Sequence, residues 1–315
     1  MLKERPVHCC VIGGTGFIGS YLVSNLLSTG REVTVIGRST RPSTPLPDSV
    51  RYLSNPYGDP DFLEQALQAA DEIVDLAYST IPKTSFTDPV NDIVSNLPDA
   101  VRLFEIASKL PIKKMVWVSS GGTVYGRTDK ATIDESHPTQ PISPYGITKL
   151  AIEKYALMYQ YSKGLPVVIV RPANAYGEQQ KAYSGQGFIA TAMASILNNK
   201  SITLYGKEGT IRDYIHVQDV ALGILAALEK GKPGSIYNIG SGEGRTTLSI
   251  LEAIKPFAKK GGLDINIQVL PMRQFDVPSN VLDSTKLNKD TSWSPGITFE
   301  EGIERSWNWF KNNLV

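Results

Sequence analysis

VHCCVIGGTGFIGSYLVSNLLSTG, residues 7–30, sets an apolar run, a glycine turn and an amphipathic run in that order. Val7–Ile12 reads as a short buried strand, and YLVSNLLSTG carries a helical pattern. Between them, glycines let the backbone turn tightly and approach a pyrophosphate, whose charge is favoured by exposed amides at a helix N-terminus. A second apolar strand, EVTVIG, follows at Glu32–Gly37. The order predicts a dinucleotide-binding unit with Gly13, Gly16, Phe17, Ile18 and Gly19 at the cofactor. The second strand of such a unit usually ends in an acid that bonds the adenosine ribose of NAD. Here Gly37 and Arg38 stand at that point. A glycine removes the carboxylate that would repel a 2′-phosphate, and an arginine fork could bind it. The expected cofactor is therefore NAD(P), with NADP(H) favoured over NAD(H).

The alternation continues with a helix over Pro60–Ala70, a strand EIVDLAY ending near Tyr78, and a Pro-containing loop, TIPKTSFTDP. Asn96 opens the helical run LPDAVRLFEIASKL, a strand covers Lys114–Ser120, a helix carries Tyr145, and VVIVRP is another buried strand. Five to six βα units imply an α/β fold, a Rossmann doubly wound parallel sheet. From Ala175 the alternation breaks in a polar loop, AYGEQQKAYSGQG, before a helix around Phe188–Leu197. Loops at the carboxyl ends of strands are where such sheets bind substrate. We expect residues 1–177 to form the Rossmann domain, 215–243 to return to it, and 178–214 with 244–315 to form a smaller C-terminal α/β substrate lobe.

At 315 residues the chain is long enough for a large domain and a smaller lobe. Acids and bases nearly balance at a net charge of +1, which gives no electrostatic footprint for nucleic acid or an anionic membrane surface. Cys9 and Cys10 are neighbours in a strand pattern and point to opposite faces, so they read as reduced, buried thiols. No apolar run is long enough for a membrane span, and MLKERPVH lacks the apolar core of a signal peptide. A soluble cytoplasmic protein with no metal site is expected.

The chemistry is read from Met115–Leu150. MVWVSSGGTVYG is followed by a polar Pro-rich loop and by SPYGITKLAIEKY, where Tyr145 and Lys149 stand one helical turn apart on one face. An ammonium beside a phenol stabilises the phenolate and lowers the tyrosine pKa toward the working pH, which suits proton transfer with an alcohol or a ketone. Tyr159 and Lys163 share that spacing, but no serine-ending strand precedes them. Tyr145 follows a strand that ends in Ser119 and Ser120.

Together these stretches resemble the extended short-chain dehydrogenase/reductases, most closely the UDP-glucose (UDP-galactose) 4-epimerase-like enzymes of the NAD-dependent epimerase/dehydratase family. The resemblance spans nearly the whole chain. It rests on GGTGFIG at Gly13, TVYG at Thr123, SPYG-x-x-K at Ser143, RPAN at Arg171, RDYIHV-x-D at Arg212 and R-x-x-D-x-P at Arg273. It implies that Tyr145 is the acid–base and that Lys149 lowers its pKa and holds the nicotinamide ribose. Asn96, Ala77, Ser119 and Pro172 would join the cofactor site. Asn174, Arg212 and Arg273 would hold the diphosphate of a nucleotide sugar, with Asp276 near the nucleoside ribose. A histidine beside an apolar run, His216 is read as structural and not catalytic.

Gly37-Arg38 is one departure from the family pattern, and Gly121 is the other. The family's usual catalytic Ser or Thr, three positions before Val124, is a glycine here. Taking the stretch as extended, residues two apart share a face, so Thr123 is the first substitute and Ser120 the second. The reading is a nucleotide-sugar 4-epimerase-like enzyme that transfers hydride at C4 of the hexose. The alternatives are an NADPH-dependent 4-keto-sugar reductase and, of another class, a non-catalytic NADP-sensing module. The family resemblance and apolar positions on the helices from Leu97 and Tyr145 point to a homodimer.

Overall fold

The computed structural model describes residues 5–54, 59–272 and 277–314. Its elements run β1 (His8–Ile12), α1 (Phe17–Ser28), β2 (Glu32–Gly37), β3 (Arg51–Ser54), α2 (Pro60–Leu67), β4 (Glu72–Asp75), α3 (Pro82–Thr87), α4 (Pro89–Val94) and α5 (Leu97–Ala107). Then come β5 (Lys114–Val118), α6 (Gly121–Val124), α7 (Pro144–Lys163), β6 (Val167–Pro172), β7 (Asn174–Tyr176), α8 (Phe188–Leu197), β8 (Ile202–Tyr205), β9 (Ile211–His216) and α9 (Val217–Lys230). The remainder is β10 (Ile236–Ile239), β11 (Gly244–Thr246), α10 (Thr247–Lys260), β12 (Ile267–Leu270), β13 (Ser279–Asn280), α11 (Thr285–Thr291) and α12 (Phe299–Leu314).

Seven strands form one sheet in the order β10-β6-β5-β4-β1-β2-β3, all parallel, as the alternation predicts. Strand residues alternate between two cores. Cys9, Val11, Val33 and Val35 pack with α1 and α9, whereas Cys10, Ile12 and Ile36 pack with α2, α5 and α7. The two cysteines are free, buried and on opposite faces. Beyond the sheet's carboxyl edge, β11, β9 and β13 form a small sheet with β7 beside β9, and β8 pairs with β12. Helices α8, α10 and α12 share a third core around Met193, Ile250, Ile303 and Trp307.

Three local readings change. Instead of the loop expected at 80–89, α3 and α4 form, each opened by a proline at its first position. A first-turn proline gives up an amide that has no intrahelical partner anyway. At α4 the Asp88 carboxylate caps the helix by accepting the Asn91 amide at 2.9 Å. The stretch after Ser120 is α6, not extended chain. Strand β3, half-exposed and only four residues long, had no apolar run to announce it.

Candidate active site

The glycine turn joins β1 to α1. Gly13 has φ +80, and a Cβ there would lie 3.1 Å from Ala77 N. A Cβ on Gly19 would meet Gly13 O at 2.5 Å. Only glycine permits this packing. Helix α1 starts after Gly16 without a side-chain cap and without an acid in its first turn. Its opening amides suit an anionic group, so the residues fit a dinucleotide pyrophosphate.

A cavity of about 270 Å³ extends from this turn along the ends of β2 and β4, lined by Gly13, Gly16, Gly37, Arg38, Ala77 and Asn96. Asn96 organises its wall: its Oδ1 accepts the Ser79 amide at 2.7 Å, and its Nδ2 donates to Asp92 O at 2.7 Å. Arg38 Nη1 donates to Ser79 Oγ at 3.2 Å. The missing acid has a steric counterpart. A Cβ on Gly37 would lie 2.5 Å from Tyr52 Oη, and that hydroxyl donates to Ser39 O at 2.7 Å.

A second cavity, about 650 Å³, lies between the large sheet and the small sheets. Gly13, Gly16, Leu76 and Tyr78 line both cavities, which makes them one continuous cleft. Its walls carry Phe17, Ile18 and Gly19, then Ser119, Ser120, Thr123, Tyr145, Lys149 and Pro172, and on the far side Asn174 and Arg212.

Tyr145 opens α7. Ser143 caps that helix by accepting the Gly146 amide at 3.1 Å, and the Tyr145 amide donates to Ser85 Oγ at 3.1 Å. Loss of solvent and the nearby Asp92 carboxylate push the phenol's pKa up, while a hydrogen bond with Ser120 pulls it down. Lys149, one turn on, is buried and donates to Val118 O at 2.8 Å. Its Nζ lies 4.1 Å from the Tyr78 ring centroid, 4.7 Å from that of Trp117 and 5.9 Å from that of Tyr145. Burial brings its pKa down to about 8, against the opposing pull of Asp75, Glu153 and Asp92. The direct lysine-to-phenol effect predicted from spacing is thus replaced: the ammonium turns to a carbonyl and two ring faces, and the phenol moves up.

Helix α6 also revises the argument about the missing serine. A Cβ on Gly121 would collide with Leu282 Cδ1 and lie 2.9 Å from Arg171 O, so this position faces packing and not the cleft. Ser120 and Thr123, three apart, lie on one side of a helical turn and both line the cleft. Ser120 bonds the Tyr145 phenol, whereas Thr123 Oγ1 is buried with no partner among the described residues.

Ser119 faces a different network. Its hydroxyl donates to Glu153 Oε1 at 2.5 Å, and Arg171 grips the same carboxylate from Nε at 2.9 Å and from Nη2 at 2.5 Å. With Glu153 and Arg171 both buried, this bidentate pair fixes the end of β5 against α7 and β6.

On the far wall Asn174 Nδ2 donates to Asp213 O at 3.0 Å, and Arg212 Nη1 to Ile211 O at 2.7 Å. Arg273 and Asp276 lie outside the described residues. His216 caps α9: its Nδ1 accepts the Gln218 amide at 3.2 Å, and its Nε2 donates to Glu178 Oε2 at 2.9 Å. Sequence reasoning missed Tyr78, whose ring packs edge-on to Tyr145 with centroids 4.8 Å apart. It also missed the lobe residues Gln180, Phe188, Thr203, Tyr205 and Thr247 in the larger cavity. No motif spacing marks these positions.

The sequence profile of the NAD dependent epimerase/dehydratase family matches residues 9–240. The chain belongs to this family. Among its relatives, the UDP-glucose 4-epimerase of Mycolicibacterium smegmatis is 30% identical over 309 residues, covering 96% of this chain and 98% of the relative. Among solved structures, the UDP-glucose 4-epimerase of Thermus thermophilus in complex with NAD has 33% identity and a TM-score of 0.89, covering 98% of this chain and 100% of that one. The Thermotoga maritima UDP-glucose 4-epimerase with UDP-glucose has 30% identity and a TM-score of 0.91, with the same coverage. Membership in the epimerase/dehydratase family makes the chain a nicotinamide-dependent enzyme, and the cleft is the part of the fold suited to that cofactor.

Proposed function

We propose that the protein is a nucleotide-sugar 4-epimerase acting on a UDP-sugar, with Tyr145 as the acid–base. The observation that carries this reading is the placement of Tyr145, Ser120 and Thr123 on one wall of a cleft continuous with the dinucleotide cradle. Tyr145 takes the proton of the 4-hydroxyl and returns it, and Thr123 and Ser120 hold that hydroxyl. A nicotinamide held in the cleft would supply reversible hydride chemistry at C4. Asn174 and Arg212, with Arg273, hold the diphosphate, which keeps the nucleotide fixed while the keto-sugar turns over; Asp276 serves the nucleoside ribose. Glycine-turn residues 13–19, Arg38, Ala77, Asn96, Ser119, Lys149 and Pro172 hold the cofactor. The cofactor is assigned to the Rossmann part, residues 1–177 and 215–243, which also carries Tyr145, Ser120, Thr123 and Asn174, and the rest of the nucleotide-sugar site to the lobe, 178–214 and 244–315.

A second reading is favoured by one observation, the Arg38 guanidinium at the adenosine end with Tyr52 filling the place of the acid. That pair favours NADP(H) and, with it, one-way reduction of a 4-keto sugar. Incubating the protein with UDP-glucose, UDP-N-acetylglucosamine and a dTDP-4-keto-6-deoxy sugar, with and without NADPH, separates the two. Conversion of a UDP-sugar without loss of NADPH absorbance supports the epimerase, and stoichiometric NADPH loss confined to the keto-sugar replaces it with the reductase.

We further propose a homodimer through α7, one of the two helices expected from the sequence, with α3 and α4 in place of the Leu97 helix, which has no exposed large apolar residue. Phe86, Val90, Ile93, Val94, Ile147 and Met158 are exposed apolar residues there, and a face of that kind suits a second copy. Light scattering at micromolar concentration that returns a monomer would remove this assignment.

A further inference from the structure

The walls around Lys149 contain more than its motif accounts for. The ammonium is buried, and a buried lysine tends to lose its proton because the charged form forfeits its hydration. One hydrogen bond, to Val118 O at 2.8 Å, replaces part of that hydration. Three aromatic rings stand around it: Tyr78 at 4.1 Å, Trp117 at 4.7 Å and Tyr145 at 5.9 Å from Nζ to ring centroid. A cation over a ring face is attracted by the ring quadrupole, most strongly where water is excluded. Tyr78 is the nearest of the three. It follows β4, touches Tyr145 edge-on at an interplanar angle of 66°, and lines both halves of the cleft.

We propose that Tyr78 is a positioning residue for Lys149, its ring face closing an aromatic cage that keeps the buried ammonium charged and fixed beside the Tyr145 base. This rests on the assignment of Tyr145 and Lys149 to the reaction, but the cage itself is a property of the protein without substrate. The other groups that face the ammonium are the carboxylates of Asp75 at the end of β4, Asp92 on α4 and Glu153 on α7, and all three favour its charged form. Burial opposes them and wins, and the lysine titrates near 8. Losing the nearest ring face removes one of the few favourable contacts left to the cation, so the lysine gives up its proton at lower pH.

The test follows the 13Cε resonance of Lys149 through pH in lysine-labelled protein, with the peak assigned by its absence in Lys149→Met. Tyr78→Leu is expected to lower the titration midpoint by about one pH unit, the size of a desolvated cation–ring contact. Tyr78→Phe, which keeps the ring, is expected to titrate with the wild type. A Leu variant with the wild-type midpoint, or a Phe variant that shifts as far as the Leu variant, overturns the proposal. Should Tyr78→Leu fail to fold, trifluorophenylalanine at position 78 keeps the ring's size while cancelling its negative face; it must produce the same downward shift, and an unchanged midpoint overturns the cage. Absence of turnover with any nucleotide sugar, alongside the expected titrations, would sink the epimerase assignment and leave the cage standing.

Discussion

Gly121 and Leu282 are packed so closely that a single added carbon at Gly121 would collide with Leu282 Cδ1. Restoring the family's serine with Gly121→Ser therefore fails to restore a hydroxyl to the cleft. It is expected to destabilise the protein by about 1–3 kcal/mol, the usual cost of overpacking a filled core. Denaturant unfolding measures this. Thr123→Val and Ser120→Ala, in contrast, are expected to leave stability nearly unchanged and to lower kcat. A Gly121→Ser protein of unaltered stability and raised kcat would contradict the assignment.

Tyr145→Phe keeps the ring and removes the titrating hydroxyl. Nucleotide-sugar binding is expected to survive, with turnover reduced by about 10²-fold or more, as loss of general acid–base catalysis predicts. Tyr159→Phe, on the same helix at the same spacing from a lysine, is expected to be nearly silent. The reverse pattern in a steady-state assay would move the chemistry to the wrong turn of α7.

At the adenosine end, Arg38→Ala is expected to weaken NADP binding by about 1.5–3 kcal/mol, the range for a hydrogen bond to a charged group, and to leave NAD nearly untouched. Calorimetric titration of both nucleotides would register this as roughly a ten- to hundredfold loss for NADP alone. Equal losses for the two nucleotides would show that Arg38 does not read the 2′-position.

Glu178 supplies a pH-dependent tie between elements. Its carboxylate takes Arg305 Nε at 2.9 Å and His216 Nε2 at 2.9 Å. Partial burial alone would raise its pKa, but these bonds outweigh burial and hold it at about 2 against an ordinary 4.5. A carboxyl depressed in the folded state binds fewer protons than in the unfolded chain, so it stabilises the fold above about 4.5 and loses that effect as pH falls toward 2. Thermal melting should therefore show wild type more stable than Glu178→Gln at neutral pH, with the gap closing across that window. A gap that persists unchanged to the acid end would assign the difference to packing.

The glycine turn, the parallel sheet and the Tyr145–Lys149 spacing were legible because each is written in consecutive residues or in one helical repeat. What was hidden depends on which segments meet. Tyr78 carries no motif, and its role appears only where β4, α4 and α7 converge. The side of the chain that Ser120 and Thr123 share could not be read while that turn of helix was taken as a strand. The prolines at 82 and 89, read as loop formers, were first residues of short helices. A wall built by Gln180, Phe188, Thr203, Tyr205 and Thr247 gathers side chains from separate stretches, and no local pattern links them.

The edge strand β10 has a consequence for how the chain is made. It lies at the end of the sheet order, beside β6, yet its residues 236–239 follow β6 by more than sixty positions, after β7, β8 and β9. A ribosome therefore releases six strands of the cofactor sheet, with the β6 edge and the face awaiting α9 still bare, before the covering segments emerge. Open apolar edges on nascent chains invite misassociation. A pause in synthesis between residues 172 and 217 should leave the emerging chain more dependent on chaperones than the same pause after residue 293, when Leu287 and Trp293 of the same core have also been made.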